Sequence, residues 1–141
     1  EYCRRTGQPV PDGKGALVRC VLESLALKYR AVLEEIEGVL GQRLVPLHVV
    51  GGGVRNALLC QLAADATGRQ VVAGPVEATA AGSVMMQAVA TGQLGSLAEG
   101  RELVRRSFEV LSYEPRRSPA LDDAYGRLRD LARVSSAVPD C

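Results

Sequence analysis

The sequence predicts a helix-rich α/β fold with short strands. Three observations carry this. From about Lys14 to Leu40, apolar residues recur at spacings of three and four. Two short β-branched runs, ending near Val50 and at Ala73, are each broken by glycine and followed by helical spacing. Beyond Gly92, two further helical patterns complete the chain. The expected order is helix, strand, helix, strand, helix and then two C-terminal helices.

Each element has a local reason. Residues 1–13 carry Gly7, Pro9, Pro11 and Gly13 and read as loop, with Asp12 placed to cap the long helix after it. Val18, Val21, Leu22, Leu25, Tyr29, Leu33, Ile36 and Leu40 form one apolar stripe, the mark of a long amphipathic helix. Gly38 or Gly41 closes it. Glu34, Glu35 and Glu37 read as its solvated face rather than as a metal cluster. Leu44–Val50 is nearly all apolar, as a strand buried on both faces should be, with Pro46 near its start. Gly51-Gly52-Gly53 breaks that strand. Helical spacing resumes from Arg55 to Thr67 and stops at Gly68; Gln70–Ala73 is a second strand, ended by Gly74-Pro75.

Glu77 to Thr91 is a helix rich in small residues (Ala78, Ala80, Ala81, Gly82, Ser83), a composition suited to close helix packing or to a flat ligand, the former being favoured. Ser96-Leu97-Ala98-Glu99 has the form of a capping box opening a helix to about Arg106. Phe108–Tyr113 reads as extended and Glu114–Ser118 as a polar loop. Ser118-Pro119 then starts a last helix with Leu121, Tyr125, Leu128 and Leu131 on one face.

Composition narrows the function. The 141 residues fit one domain, enough to bury roughly two-thirds of the unfolded surface. Lys plus Arg is 17 against 16 Asp plus Glu, which argues against a nucleic-acid or membrane-surface binder. Apolar residues at 47% argue against disorder. No apolar run approaches the roughly 18 residues of a membrane span, and the N-terminal stretch lacks signal-peptide form. Trp is absent and Phe occurs once, so stacking platforms are scarce.

The four cysteines form no CxxC pair and there is one His, so a zinc site is not expected. Cys60 sits in an apolar helical pattern and reads as a small core residue. Cys3 and Cys20 flank the turn-rich stretch Thr6–Gly13, which can bring them together; two free thiols is the alternative.

The strongest chemical signal is strand, Gly51-Gly52-Gly53, then helix. A turn without side chains lets backbone N–H groups reach a ligand, and the following helix adds its N-terminal donors and dipole. This suits a phosphate or nucleotide; a tight connection with no ligand gives the same pattern. Arg55 and Asn56 at the helix start can cap it or touch the ligand. A dinucleotide fold fits less well. Asn56 stands where the third glycine of G-x-G-x-x-G belongs, and Glu77 falls in the first turn of the next helix rather than at a ribose-binding position. His48 reads as a packed or hydrogen-bonded strand residue and Asp65 as solvated. The chain carries neither a G-x-S-x-G elbow nor a P-loop with its Lys.

The segment Leu47–Gly68, with Gly51-Gly52-Gly53-Val54-Arg55-Asn56 at its centre, resembles the FGGY family of carbohydrate kinases. Val71–Gly82, Cys3–Pro11, Glu23–Arg30 and Arg105–Phe108 extend the resemblance along nearly the whole chain. It implies part of a ribonuclease-H-like domain of the actin, sugar-kinase and heat-shock ATPase type. It also implies a cytoplasmic enzyme that moves the γ-phosphate of Mg-ATP to a sugar hydroxyl, here the 1-hydroxyl of L-rhamnulose. In that family the nucleotide-contacting glycine falls on Gly52, with Gly51, Gly53 and Asn56 as its supports; no metal ligand and no catalytic residue carries over. The resemblance further implies a linked pair at Cys3 and Cys20. Residues 1–141, starting without Met, are then expected to be the C-terminal portion of the kinase's C-terminal domain. The N-terminal domain, with the catalytic aspartate and most of the sugar site, would lie elsewhere, and the isolated chain would be inactive. Another sugar kinase of the family, for example one acting on fuculose, or a non-catalytic remnant of the fold are the alternatives.

Overall fold

The structure is a computed structural model and describes residues 1–136. Its elements are α1 (Tyr2–Arg5), α2 (Gly13–Leu40), β1 (Leu47–Val49), a 3₁₀ turn (Gly51–Arg55), α3 (Ala57–Thr67), β2 (Val71–Ala73), α4 (Ala78–Ala90), α5 (Leu97–Ser107), β3 (Leu111–Tyr113) and α6 (Pro119–Ser136). The predicted order of strands and long helices is therefore present, as is the helix-rich α/β class. Cys141 lies outside the described residues.

The N-terminal loop instead begins with one helical turn. Its two prolines lie beyond that turn, and Thr6 Oγ1 donates to the Tyr2 carbonyl at 2.9 Å while the Gln8 N–H donates to the Cys3 carbonyl at 2.8 Å. Asp12 occupies the N-cap position of α2, but its side chain makes no cap bond. At the far end Gly41 adopts φ 67°, a left-handed conformation that glycine enters without a Cβ penalty, and its N–H returns to the Glu37 carbonyl at 2.8 Å.

α3 is the centre of the molecule. One side of it packs on α2 and α6 through Ala26, Leu27, Leu62, Ala66, Leu121 and Tyr125. Its other side packs on the sheet through Cys60, Ala63, Ala64, Val71 and Ala73. Alanines at 63 and 64 put little side chain between α3 and the sheet. The three strands run in the order β1-β2-β3, with β1 parallel to β2 and β3 antiparallel to it. Register places Leu47 opposite Val71 and Val49 opposite Ala73, so one face of alternating residues meets α3.

Two expectations about burial are corrected. β1 is not buried on both faces: Leu47 and Val49 are half-buried but His48 is exposed, so the only histidine is neither packed nor held by a hydrogen bond among the described residues. The stripe of α2 is only partly its core side, since Leu22 packs against the core and Leu33 is half-buried. Val18, Val21, Leu25, Ile36 and Leu40 are all exposed, while Ala26 and Leu27 are the buried pair. The core side of α2 is carried by Ala26 and Leu27, with Leu22 and Ala31 packed beside them.

Polar groups tie the helical layer together. Arg69, 6% exposed, donates to the Leu44 carbonyl at 3.1 Å, the Thr67 carbonyl at 2.6 Å and Glu37 Oε2 at 2.5 Å. Glu37 also accepts from the Leu44 N–H at 2.6 Å. Glu34 accepts from the Tyr125 hydroxyl at 2.6 Å and from Arg30 at 2.9 Å. Two members of the acidic run are thus bound within the fold rather than simply solvated. Asp65 is likewise engaged: it accepts from the Arg116 N–H at 2.8 Å and from Gln61 Nε2 at 2.7 Å, fixing the loop between β3 and α6.

The opposite face of the sheet, with His48 and Val72, looks into a cavity of about 770 Å³ bounded by α4 and α5. These two helices cross at Gly100, where an added Cβ would overlap Sδ and Cγ of Met85. The Ser96 hydroxyl accepts from the Glu99 N–H at 3.2 Å, and the Glu99 carboxylate accepts from the Gly95 N–H at 2.8 Å. The reciprocal bond of the predicted capping box therefore lands one residue early.

Candidate nucleotide site at the triglycine turn

The ends of β1 and β2 lie side by side, and the backbone fastens the two loops that leave them. The Gly74 N–H donates to the Val49 carbonyl at 2.8 Å, and the Gly51 N–H donates to the Pro75 carbonyl at 3.1 Å. Gly51 sits at φ 78°, so a side chain there would be strained. The chain then winds into the 3₁₀ turn. The first two residues of such a turn have no carbonyl three residues back within it to receive their N–H groups. Gly51 is served by Pro75. Gly52 is exposed, and a Cβ built on it meets nothing within 4 Å. Its amide is the donor the turn leaves available at the strand ends.

The rest of the turn is held from below. The Asn56 N–H donates to the Gly53 carbonyl at 3.1 Å, and the Asn56 side chain caps α3 by accepting from the Leu59 N–H at 3.0 Å. Asn56 is thus a structural support of the turn, one of the two roles open to it in the sequence. Cys60, 1% exposed beneath the turn, points its thiol at the Gly53 carbonyl with a separation of 3.8 Å. Burial pushes this thiol up from its ordinary range. Asn56→Ala removes the cap, and a stability loss of about 1 kcal/mol is expected; the midpoint of urea unfolding reads it, and an unshifted midpoint would remove the cap from the account.

Of the other candidates, Arg55 borders a smaller hollow of about 340 Å³ beside Glu77 and Phe108. Cys3 is half-buried in the N-terminal turn and Cys20 is exposed on α2; both are free thiols here. Among the described residues, no group of three His, Cys, Asp or Glu is placed to hold a metal ion. Among the described residues, no helix is long and apolar enough to cross a membrane. The contact of the Cys60 thiol with the Gly53 carbonyl has no signal in the sequence, where Cys60 reads only as a small core residue.

A strand, a glycine turn and a helix N-terminus meet at this site, and the comparisons with known proteins give the family that carries it. The chain belongs to the FGGY family of carbohydrate kinases: the pattern of that family's C-terminal domain matches residues 3–91. Over 133 residues, 94% of this chain, it is 49% identical to a rhamnulokinase from Bacteroides thetaiotaomicron. Over 113 residues, 80% of the chain, it is 45% identical to a rhamnulokinase from Klebsiella pneumoniae. The chain spans about a quarter of these relatives, 27% and 23% of their lengths. Its fold is similar to that of Plasmodium falciparum glycerol kinase, solved with ADP, at 18% identity and a TM-score of 0.68 over 95% of this chain and 26% of that one. It is also similar to xylulose kinase from Rhodospirillum rubrum, at 24% identity and a TM-score of 0.60 over 92% of this chain and 26% of the other.

Proposed function

We propose that this chain is the nucleotide-binding part of a rhamnulokinase, an enzyme that transfers the γ-phosphate of Mg-ATP to the 1-hydroxyl of L-rhamnulose. The observation that carries the site is Gly52 at the head of the 3₁₀ turn: it is exposed, its Cβ position is open, and its amide has no acceptor three residues back within the turn. Such an amide, at the positive end of a helix, suits a phosphate oxygen. Phosphoryl transfer rests mainly on positioning and charge stabilisation, so a wall of fixed backbone donors is a sufficient contribution from one part of the enzyme. Gly51 and Gly53 shape the turn and Asn56 supports it. The magnesium travels with the nucleotide, and the acceptor sugar belongs to the preceding part of the longer protein.

Two features support reading residues 1–141 as a portion of the C-terminal domain. β1 pairs only on its β2 side among the described residues, leaving an open sheet edge. The exposed apolar stripe of α2 is a second surface suited to cover by further chain. The same reading includes a Cys3–Cys20 disulfide under oxidising conditions, which free-thiol counting with and without reductant detects.

The decisive experiment is Gly52→Val in the full-length protein. The backbone at Gly52 lies outside the left-handed region and a Cβ is unobstructed, so the fold should tolerate the change. Valine keeps the backbone N–H but sets an isopropyl group beside it, and the KM for ATP is expected to rise about tenfold, the scale of one blocked hydrogen bond to a charged oxygen, with the KM for L-rhamnulose unchanged. An unchanged KM for ATP sinks the site. Faster turnover of L-fuculose, D-xylulose or glycerol than of L-rhamnulose replaces the acceptor and keeps the site.

A further inference from the structure

α3 is 11 residues long, so its far end lies about 16 Å from the glycine turn. There the loop after α2, the end of α3 and the loop before α6 surround a groove of about 690 Å³. Five arginines line it (Arg30, Arg43, Arg69, Arg116 and Arg117) against four carboxylates. The bonds inside the groove decide which charges are left over. Arg30 is spent on Glu34 and Asp122, and Arg69 on Glu37. The fourth carboxylate, Asp65, accepts from the Arg116 N–H and from Gln61. All four acids are therefore bonded within the fold, while Arg43, Arg116 and Arg117 form no ion pair among the described residues. Two of these three are held in place by neutral acceptors. Arg43 Nη2 donates to the Gly68 carbonyl at 2.8 Å, and Arg116 Nη2 donates to Gln61 Oε1 at 2.9 Å. Such a contact fixes a guanidinium but leaves its charge uncompensated and most of its five N–H donors unspent. Arg117 follows on the same loop and makes no bond among the described residues. Ala66 and Pro115 are the only apolar side chains in the lining, and no aromatic ring is present to stack on a base.

We propose that this groove is an anion site that takes a phosphate dianion, free or carried by a small non-aromatic metabolite, between Arg43 and the Arg116–Arg117 pair. Guanidinium forks match phosphate oxygens two at a time. A fork already fixed by a neutral acceptor loses little further freedom when the anion arrives. The groove makes no use of Gly52, so the site stands or falls apart from the nucleotide reading.

The test is calorimetric titration of the full-length protein, kept saturated with ADP, by inorganic phosphate and by ribose 5-phosphate. Binding to the wild type is expected, and Arg43→Gln and Arg117→Gln should each weaken it about tenfold, the scale of one charge-assisted hydrogen bond. Arg127→Gln removes an exposed arginine of α6 outside the groove and should leave binding unchanged, as should Gly52→Val. Tighter binding of ribose 5-phosphate assigns the groove to a phosphate ester, and tighter binding of inorganic phosphate assigns it to the free ion; either result supports the site. Absence of binding to the ADP-saturated wild type overturns it, as would follow if further chain of the longer protein covered the groove. Binding left intact by both groove variants overturns it too. An equal loss in Arg127→Gln reduces the effect to diffuse surface charge, and a loss confined to Gly52→Val moves the phosphate to the glycine turn; both overturn the proposal. If Arg43→Gln does not fold, Arg117→Gln decides alone, since it removes no bond of the fold among the described residues.

Discussion

Arg69→Ala should destabilise the protein by about 2–4 kcal/mol, the sum expected when three hydrogen bonds of a buried guanidinium are lost and their acceptors stay behind. Arg69 is 6% exposed and bonds to the Leu44 carbonyl, the Thr67 carbonyl and Glu37. These acceptors come from the approach to β1, the end of α3 and the end of α2, so one side chain closes a three-way junction. Urea unfolding followed by circular dichroism measures the loss. A midpoint within error of wild type would mean that the junction is held by packing alone.

A pH dependence accompanies this junction. The Leu44 N–H, and after it Arg69, hold the Glu37 carboxyl below its ordinary range. A carboxyl depressed in the folded state contributes stability above its unfolded pKa and loses it as the pH falls through the folded pKa. Unfolding midpoints should therefore drop on acidification below the ordinary carboxylate range. In Glu37→Gln that acid-side drop should be smaller, because the group no longer titrates.

Tyr125→Ala is expected to cost about 3–5 kcal/mol, the usual consequence of truncating a large buried aromatic. The ring is 6% exposed and lies in the cluster that joins α2, α3 and α6. The guanidinium of Arg30 sits 4.2 Å from its centroid, and the hydroxyl donates to Glu34. Burial pushes the Glu34 carboxyl up, but the bonds from Tyr125 and Arg30 outweigh it and hold the group below its ordinary value. Burial, and then the Glu34 bond, raise the Tyr125 phenol. Tyr125→Phe separates these contributions: it keeps the ring and should cost only about 1 kcal/mol. Equal losses in Phe and Ala would place the energy in the hydroxyl instead of the packing.

The order of strands and long helices was legible because each boundary has a local chemical cause. Gly41 and Gly68 end their helices in left-handed conformations, Asn56 and Ser96 cap theirs through side chains, and the two β-branched runs give β1 and β2. Burial was less legible. Periodicity finds an apolar stripe on α2 but cannot say which neighbour covers it. The observed core side turns instead on Ala26 and Leu27, which carry a weaker signal than the exposed Val18, Val21 and Ile36. The strand around His48 looked buried because its composition is apolar, yet with three short strands only the α3 side is packed. At the site, the glycines were readable as a turn, while the bonds that shape it were not. The partners of Gly51 and Gly74 come from the neighbouring strand's loop, and no spacing rule links Gly51 to Pro75 or Gly74 to Val49.

That pair of loop-to-loop bonds also fixes the order in which the layers meet. Pro75 stands three residues before the start of α4, and Gly51 opens the turn that leads into α3. The two helices on opposite sides of the strands therefore start from one hydrogen-bonded seam at the strand ends. α4 in turn meets α5 at Gly100, where Met85 leaves no room for a Cβ, so the glycine turn is joined through bonded and packed contacts to the far helical pair.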